Sequence, residues 1–116
     1  MKGIKLIFVI TLFIITSCGK HANKIADTYT GELTKDGVTV STNTTIAIDE
    51  VDKNTARINS TEFDSYEVEV DKNRYFASKT YYSTTPNESL EVFDDGNIIL
   101  IHNVNQEEFI FVGRRN

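Results

Sequence analysis

From Asp27 onward the chain alternates apolar and polar residues with a period of two. That is the pattern of strands with one face in a core and the other in water. Thr, Val, Ile, Tyr and Phe dominate, turn-forming pairs recur at short intervals, and Pro86 is the only proline. No stretch keeps a helical period for three turns, and no repeat or low-complexity tract breaks the pattern. Many short strands with regularly spaced turns predict an all-β sandwich or barrel. The tally is about eight antiparallel strands in sequential order, each roughly six to nine residues long.

Two hairpins are legible in register. Asp36-Gly37 predicts a two-residue turn, in which both positions take φ > 0. Counting outward sets Leu33 against Val40, Gly31 against Thr42 and Tyr29 against Thr44. The run that follows keeps Val38, Val40, Ile46 and Ile48 at even positions, so these are expected on the buried face. A turn around Asp52 to Asn54 leads to a strand with Ala56 and Ile58 inward. "SYEVEV" then sets Tyr66, Val68 and Val70 on one side, Glu67 and Glu69 on the other. A turn near Lys72-Asn73 enters "RYFASKTYYS", where Tyr75, Phe76, Tyr81 and Tyr82 populate both faces and the inward set stays open. "TTPNES" is the longest polar connection. Asp95-Gly96 predicts a second two-residue turn, pairing Phe93 with Ile98, Glu91 with Leu100 and Leu90 with Ile101. The last strand has Phe109 and Phe111 on one face, Ile110 and Val112 on the other. Apolar residues on both faces predict a strand buried on both sides or central in a closed sheet.

A meander of this kind closes most naturally into a small up-and-down barrel, which removes exposed strand edges. Eight strands make an interior just wide enough to be filled by side chains or to hold one small ligand. The order of elements, with the glycine of "TYTGELT" on the first strand, resembles a miniature lipocalin-type barrel. Leu33 stands where that family places a tryptophan, and the chain has no Trp. The resemblance implies the barrel and does not carry ligand binding with it. A transmembrane barrel is the other use of eight strands. It needs an apolar outer belt, which the outward Glu32, Arg57, Glu67 and Glu69 contradict.

The first twenty residues follow a different pattern. Lys2 and Lys5 precede an apolar run from Leu6 to Ile15, broken only by Thr11, and then Thr16-Ser17. Charged, apolar and small segments in that order make a secretory signal, and a run of about ten residues is too short to span a bilayer. Ile15-Thr16-Ser17-Cys18 resembles the lipobox of bacterial lipoproteins, cut before an obligatory cysteine. The resemblance implies that Cys18 becomes the first mature residue, with a diacylglycerol on its sulfur and an acyl group on its amine. The chain then divides into a signal peptide (1–17), a lipid-anchored tether (18–26) and an antiparallel β-domain (27–116). Two or three acyl chains hold stably where one holds marginally, so the membrane is the first expected partner, reached through the lipid on Cys18. Lys20, not Asp, at the second position after the cysteine resembles the outer-membrane sorting pattern. The absence of an acidic cluster after Cys18 favours the periplasmic face over the cell surface.

Composition narrows the partners. Cys18 is the only cysteine, so acylation leaves no thiol for a disulfide or for catalysis. Loss of residues 1–17 removes two lysines and no acid, leaving 10 basic against 17 acidic residues, a formal charge of −7 over 99 residues. Nucleic acid, which demands clustered Lys and Arg, is excluded as a partner. A protein of the envelope remains.

Candidate chemistry is sparse. His102 is the only histidine within the β-domain, and counting from the Asp95-Gly96 turn sets it on one face with Ser89 and Glu91. A Ser–His–Glu set of that kind would lie flat on adjacent strands without a Gly-rich oxyanion turn, so no catalytic residue is assigned. Asp49, Glu50, Asp52 and Asn54 crowd one turn but lack the central Gly and distal bidentate Glu of an EF-hand loop. They read as a solvated turn, and no metal or cofactor is assigned. Tyr81-Tyr82 must send one ring to each face, which makes them the candidate surface-recognition residues. The expected function is that of a non-catalytic envelope lipoprotein acting by surface interaction or in a structural role. Binding of a small apolar ligand in a lipocalin-like barrel is one alternative, and inhibition of a lysozyme or protease by an acidic face is the other.

Overall fold

The computed structural model describes residues 21–73 and 80–116. Within them a short helix α1 (His21–Ile25) precedes eight strands: β1 (Asp27–Lys35), β2 (Val38–Asp52), β3 (Thr55–Asn59), β4 (Tyr66–Asn73), β5 (Thr80–Ser83), β6 (Ser89–Phe93), β7 (Asn97–Val104) and β8 (Glu107–Arg115). Each strand pairs antiparallel with the next, and β8 pairs with β1, so the sheet is a closed up-and-down barrel. The segment expected to be a signal peptide, Cys18, and the Tyr75 and Phe76 positions lie outside the described residues. The predicted turn near Lys72-Asn73 is displaced, because β4 continues to Asn73.

Alternation decides what the barrel holds. Ala56 and Ile58 of β3, and Val68 and Val70 of β4, point inward and are buried, while Glu67 and Glu69 are exposed. Tyr29, Leu33, Ile46, Ile48, Leu90, Val92, Ile98, Leu100, Phe109 and Phe111 complete a single apolar core. Glu32, Arg57, Glu67 and Glu69 are exposed on the outside wall.

The two Asp-Gly pairs behave differently. Asp36 and Gly37 both have positive φ (51° and 83°), and Lys35 pairs with Val38, a type I′ turn as read from the sequence. Beyond it the register departs from the simple count. Leu33 faces Ser41, Gly31 faces Thr44 and Tyr29 faces Ile46, because β2 carries an extra residue in two places. Each such bulge bends and coils the strand, as closure of so small a barrel demands. One inserted residue would turn every later side chain to the wrong face; two restore it. Ile46 and Ile48 therefore stay inside. Val38 and Val40, expected to be buried, are 70% and 42% exposed at the tip of the hairpin.

At the second pair only Gly96 has positive φ (95°), and its N–H donates to the Phe93 carbonyl at 2.9 Å. Asp95 Oδ1 accepts from the Asn97 N–H at 3.0 Å. The result is a longer connection, a β-turn followed by a left-handed glycine. It shifts the expected register by one: Val92 faces Ile98, Leu90 faces Leu100 and Glu91 faces Ile99.

Closure at β1–β8 brings Gly31 opposite Gly113. A Cβ on Gly31 would overlap the Val112 carbonyl oxygen, so the first-strand glycine is needed for close backbone approach. Of the two expectations for β8, the closed sheet holds, with β8 paired on both edges, and burial of both faces does not; Val112 is 52% exposed.

Each mouth of the barrel is closed. At the lower mouth, α1 inserts Ala22 and Ile25, both fully buried. Ala22 N–H donates to Lys53 O at 3.1 Å, and the Tyr29 hydroxyl donates to Ile25 O at 2.7 Å. Arg115 Nη2 bonds Lys24 O at 2.7 Å and the Tyr29 hydroxyl at 2.8 Å. Its Nε lies 3.3 Å from Asp27 Oδ2, near enough for the charges to attract but off the line of a hydrogen bond. Residues 21–26, read as part of the tether, thus belong to the folded unit. Five residues are too few to announce a helical period, and tertiary contacts hold them. At the upper mouth, Phe63 from the β3–β4 loop closes over Tyr66, His102 and Phe109, with ring centroids 5.9, 5.0 and 5.2 Å away.

Candidate functional site

His102 sits inside this upper closure, buried, with its ring stacked on Tyr66 at 3.8 Å and 4° between planes. Its Nδ1–H donates to Glu88 Oε1 at 2.9 Å. Burial, reinforced by the negative charge of Glu88, pushes the Tyr66 phenol well above the usual tyrosine range. Ser89 and Glu91 face outward and are exposed, so the one-residue register shift separates them from His102. The hydrolytic set is not assembled. Glu88, from the loop before β6, takes the place sequence counting assigned to its neighbours, and its bond to His102 fastens that loop over the mouth.

The acidic turn between β2 and β3 is used by the backbone. Asp52 Oδ1 accepts the N–H groups of Asn54 and Thr55, each at 3.1 Å, and Asp49 Oδ2 accepts from Asn59 Nδ2 at 2.8 Å. The Asp52 bonds are those Asp makes where the chain reverses, and the Asp49 bond ties β2 to β3. Among the described residues no group of three or more His, Cys, Asp or Glu side chains is placed to hold a metal ion.

Tyr81 and Tyr82 part as strand geometry requires. Tyr81 pairs with the buried Val92 and turns to the lower mouth, its ring 5.9 Å from that of His21. His21 Nε2 in turn lies 3.4 Å from Asp71 Oδ1. Tyr82 pairs with Asp71 on one side and Glu91 on the other, all on the outer wall. It stands in a cleft of about 350 Å³ lined also by Asn73, Thr80, Ser83 and Ser89. A half-buried ring in a cleft that Glu88 and Glu91 also line offers a flat apolar face with negative charge beside it. Its natural counterpart is a cationic or amide-bearing group. Along β4, Glu67 pairs with Arg57 at 2.8 Å and Glu69 accepts from Thr55 Oγ1 at 2.7 Å, so the wall leading to the cleft is acidic but internally braced.

Comparison of the chain with known protein families, with curated proteins and with solved structures finds no match in any of the three.

Proposed function

We propose that the chain is a non-catalytic lipoprotein of the bacterial envelope, anchored through Cys18, whose barrel works as an interaction module by its outer wall. The observation that carries this reading is the packed interior. Tyr29, Ile46, Ile58, Leu100 and Phe111 are fully buried in one core, and α1 and Phe63 cover the mouths. A lipocalin-like carrier needs an apolar cavity of a few hundred Å³ within the barrel. The cleft of Tyr82 instead opens on the outer wall and presents an aromatic ring beside Glu88 and Glu91. Such a wall suits a basic envelope protein, reached by a salt-sensitive encounter.

The test is cross-linking of the full chain in its own envelope, followed by capture at low and high salt. A protein partner recovered from the native chain and lost with Tyr82→Ala supports the reading. Stoichiometric lipid or fatty acid inside the purified barrel, detected by native mass spectrometry, would refute it in favour of ligand carriage. For the anchor, Cys18→Ser should abolish both labelling by a palmitate analogue and cleavage of residues 1–17. A variant that is still processed would sink the lipoprotein reading.

A further inference from the structure

Only Gly19 and Lys20 separate Cys18 from His21, and His21 is already held by the fold. Its ring lies 5.9 Å from that of Tyr81, and its Nε2 lies 3.4 Å from Asp71 Oδ1. Ala22 behind it is fully buried, with its N–H on Lys53 O. Three residue steps from Cys18 to His21 reach at most about 11 Å. The barrel is longer than that. Val51 and Val38 mark the lower and upper ends of β2 and are 40% and 70% exposed. At the usual strand rise and tilt they stand roughly 25 Å apart along the barrel axis. The two ends also differ in charge. Around the lower mouth Lys24 and Lys53 are exposed and Lys72 is half-buried. Among the described residues none of the three makes an ion pair. Asp27, Glu50, Asp52, Asp71, Asp94 and Asp95 share that rim, so it carries both signs. The upper end carries Asp36, Glu62, Asp64, Glu88, Glu107 and Glu108. Its single described cation, Lys35, is bound to Glu107 at 2.7 Å.

We propose that the lower mouth rests on the phospholipid headgroups of the membrane that holds Cys18, so that the barrel stands on end. The proposal rests on the reading of Cys18 as the lipid anchor. Acyl chains fix that residue at the boundary of water and lipid, and His21 can rise above it by no more than the tether's reach. Three poses then compete. His21 lies against β4 and β5, across the mouth from β8 and β1. Laying the barrel on its β7–β8 wall, where Ile99 and Val112 are exposed, would lift His21 from the surface by the width of the barrel. Laying it on β4 would press Glu67 and Glu69 against the phosphates, with Arg57 already tied to Glu67. Standing on end is left. It brings Lys24, Lys53 and Lys72 to phosphate oxygens and sets the carboxylates of the rim beside headgroup ammonium groups. The acidic upper end then points away from the lipid. The outer wall rises from the surface, and the Tyr82 cleft opens along the membrane plane, toward a partner held beside it.

The experiment uses the full chain, processed in its host, purified in a mild non-ionic detergent and returned to vesicles of phosphatidylethanolamine and phosphatidylglycerol. Acylation of Cys18 leaves no other thiol, so an introduced cysteine takes a fluorophore alone. Val51→Cys marks the lower rim, Val38→Cys the upper end, and Glu67→Cys and Val112→Cys two opposite walls. All four positions are exposed, so the fold is not at stake. Lipid carrying a nitroxide on its headgroup serves as quencher. The label at position 51 should be quenched roughly fivefold more strongly than that at 38, since the first lies within the tether's reach and the second roughly 25 Å beyond it. The two wall labels should fall between them. Equal quenching at positions 51 and 38 overturns the proposal. So does quenching at either wall position as strong as at 51, which would mean that the barrel lies on that wall. Flotation of the vesicles separates the two readings. A chain that fails to float with them refutes the anchor and the pose together, whereas one that floats with the wrong quenching pattern refutes the pose alone.

Discussion

Replacing Ile25 with alanine tests whether α1 is part of the fold or merely the end of a tether. Ile25 is fully buried at the lower mouth, against the barrel core. The change removes three carbon atoms, each contributing about 0.8 kcal/mol when taken out of water. The strands around the mouth are pinned by their hydrogen bonds and collapse only in part, so a cavity term adds to the transfer term. Together these give a loss of about 3 kcal/mol. A domain of this size unfolds in urea with a slope of about 1–3 kcal/mol per molar, so the midpoint should fall by roughly 1–3 M. Pulse proteolysis of the full chain across a urea series reads that midpoint directly. Lys24→Ala, at an exposed position on the same helix, should move it by less than about 0.3 M. Equal midpoints for Ile25→Ala and the native chain would refute the assignment of α1 to the core. The carbonyl of Ile25 also holds the Tyr29 hydroxyl, so Tyr29→Phe is a second route to the same answer. It strips one bond from that carbonyl and one from Arg115, and should cost about 2 kcal/mol.

Two further outcomes follow from the barrel geometry. Gly31→Ala places a methyl group on the Val112 carbonyl across the closing seam; it should destabilise the chain by more than about 3 kcal/mol, read by the same proteolysis series, and a neutral effect would contradict the close approach. Tyr66 stays protonated in the folded state well above the pH at which an unfolded tyrosine ionises. Its contribution is therefore complete below pH 10 and is lost as the pH rises further, at about 1.4 kcal/mol per pH unit. Tyr66→Phe keeps the stack on His102 and should flatten the fall in stability above pH 10; an unchanged alkaline limb would disprove the burial of the phenol.

Which parts of this fold were legible in the sequence depends on what carries them. The closed eight-stranded meander, the inward sets of β3 and β4, and the type I′ turn at Asp36-Gly37 rest on period and local turn chemistry. Asp95-Gly96 offers the same dipeptide and makes a longer connection. There the Arg115 N–H donates to Gly96 O at 2.8 Å and Asn97 pairs with Arg114, so a distant strand takes part in shaping the turn. The β7–β8 turn puts Asn105 and Gln106 at φ of 53° and 65° without any glycine, and nothing local announces it. Of the bulges on β2, the one between Ser41 and Thr44 contains Asn43, a residue depleted in strands, and the one between Thr39 and Ser41 contains only Val40, of ordinary strand character. Curvature for closure is a property of the whole sheet, and a lone Asn within a long alternating run does not give the place of either bulge. Likewise α1 owes its form to the mouth it fills.

Parity and register fail separately, and the difference bears on the site. A side chain's face depends on parity, which survives wherever inserted residues come in twos or where counting stays within one strand. Its partner across the ladder depends on register, which a single inserted residue destroys. His102 is inward as alternation requires, yet the neighbour that matters is Glu88, one residue before the expected Ser89. The same step that dissolves the Ser–His–Glu set turns Glu91 to the outer wall beside Tyr82 and sets it against Ile99. With the histidine committed to the upper closure and the interior occupied by side chains, the polar and aromatic groups left accessible lie on the outside. Under the proposed reading, the groups open to a partner are those on the wall, at the Tyr82 cleft, rather than those of the mouth.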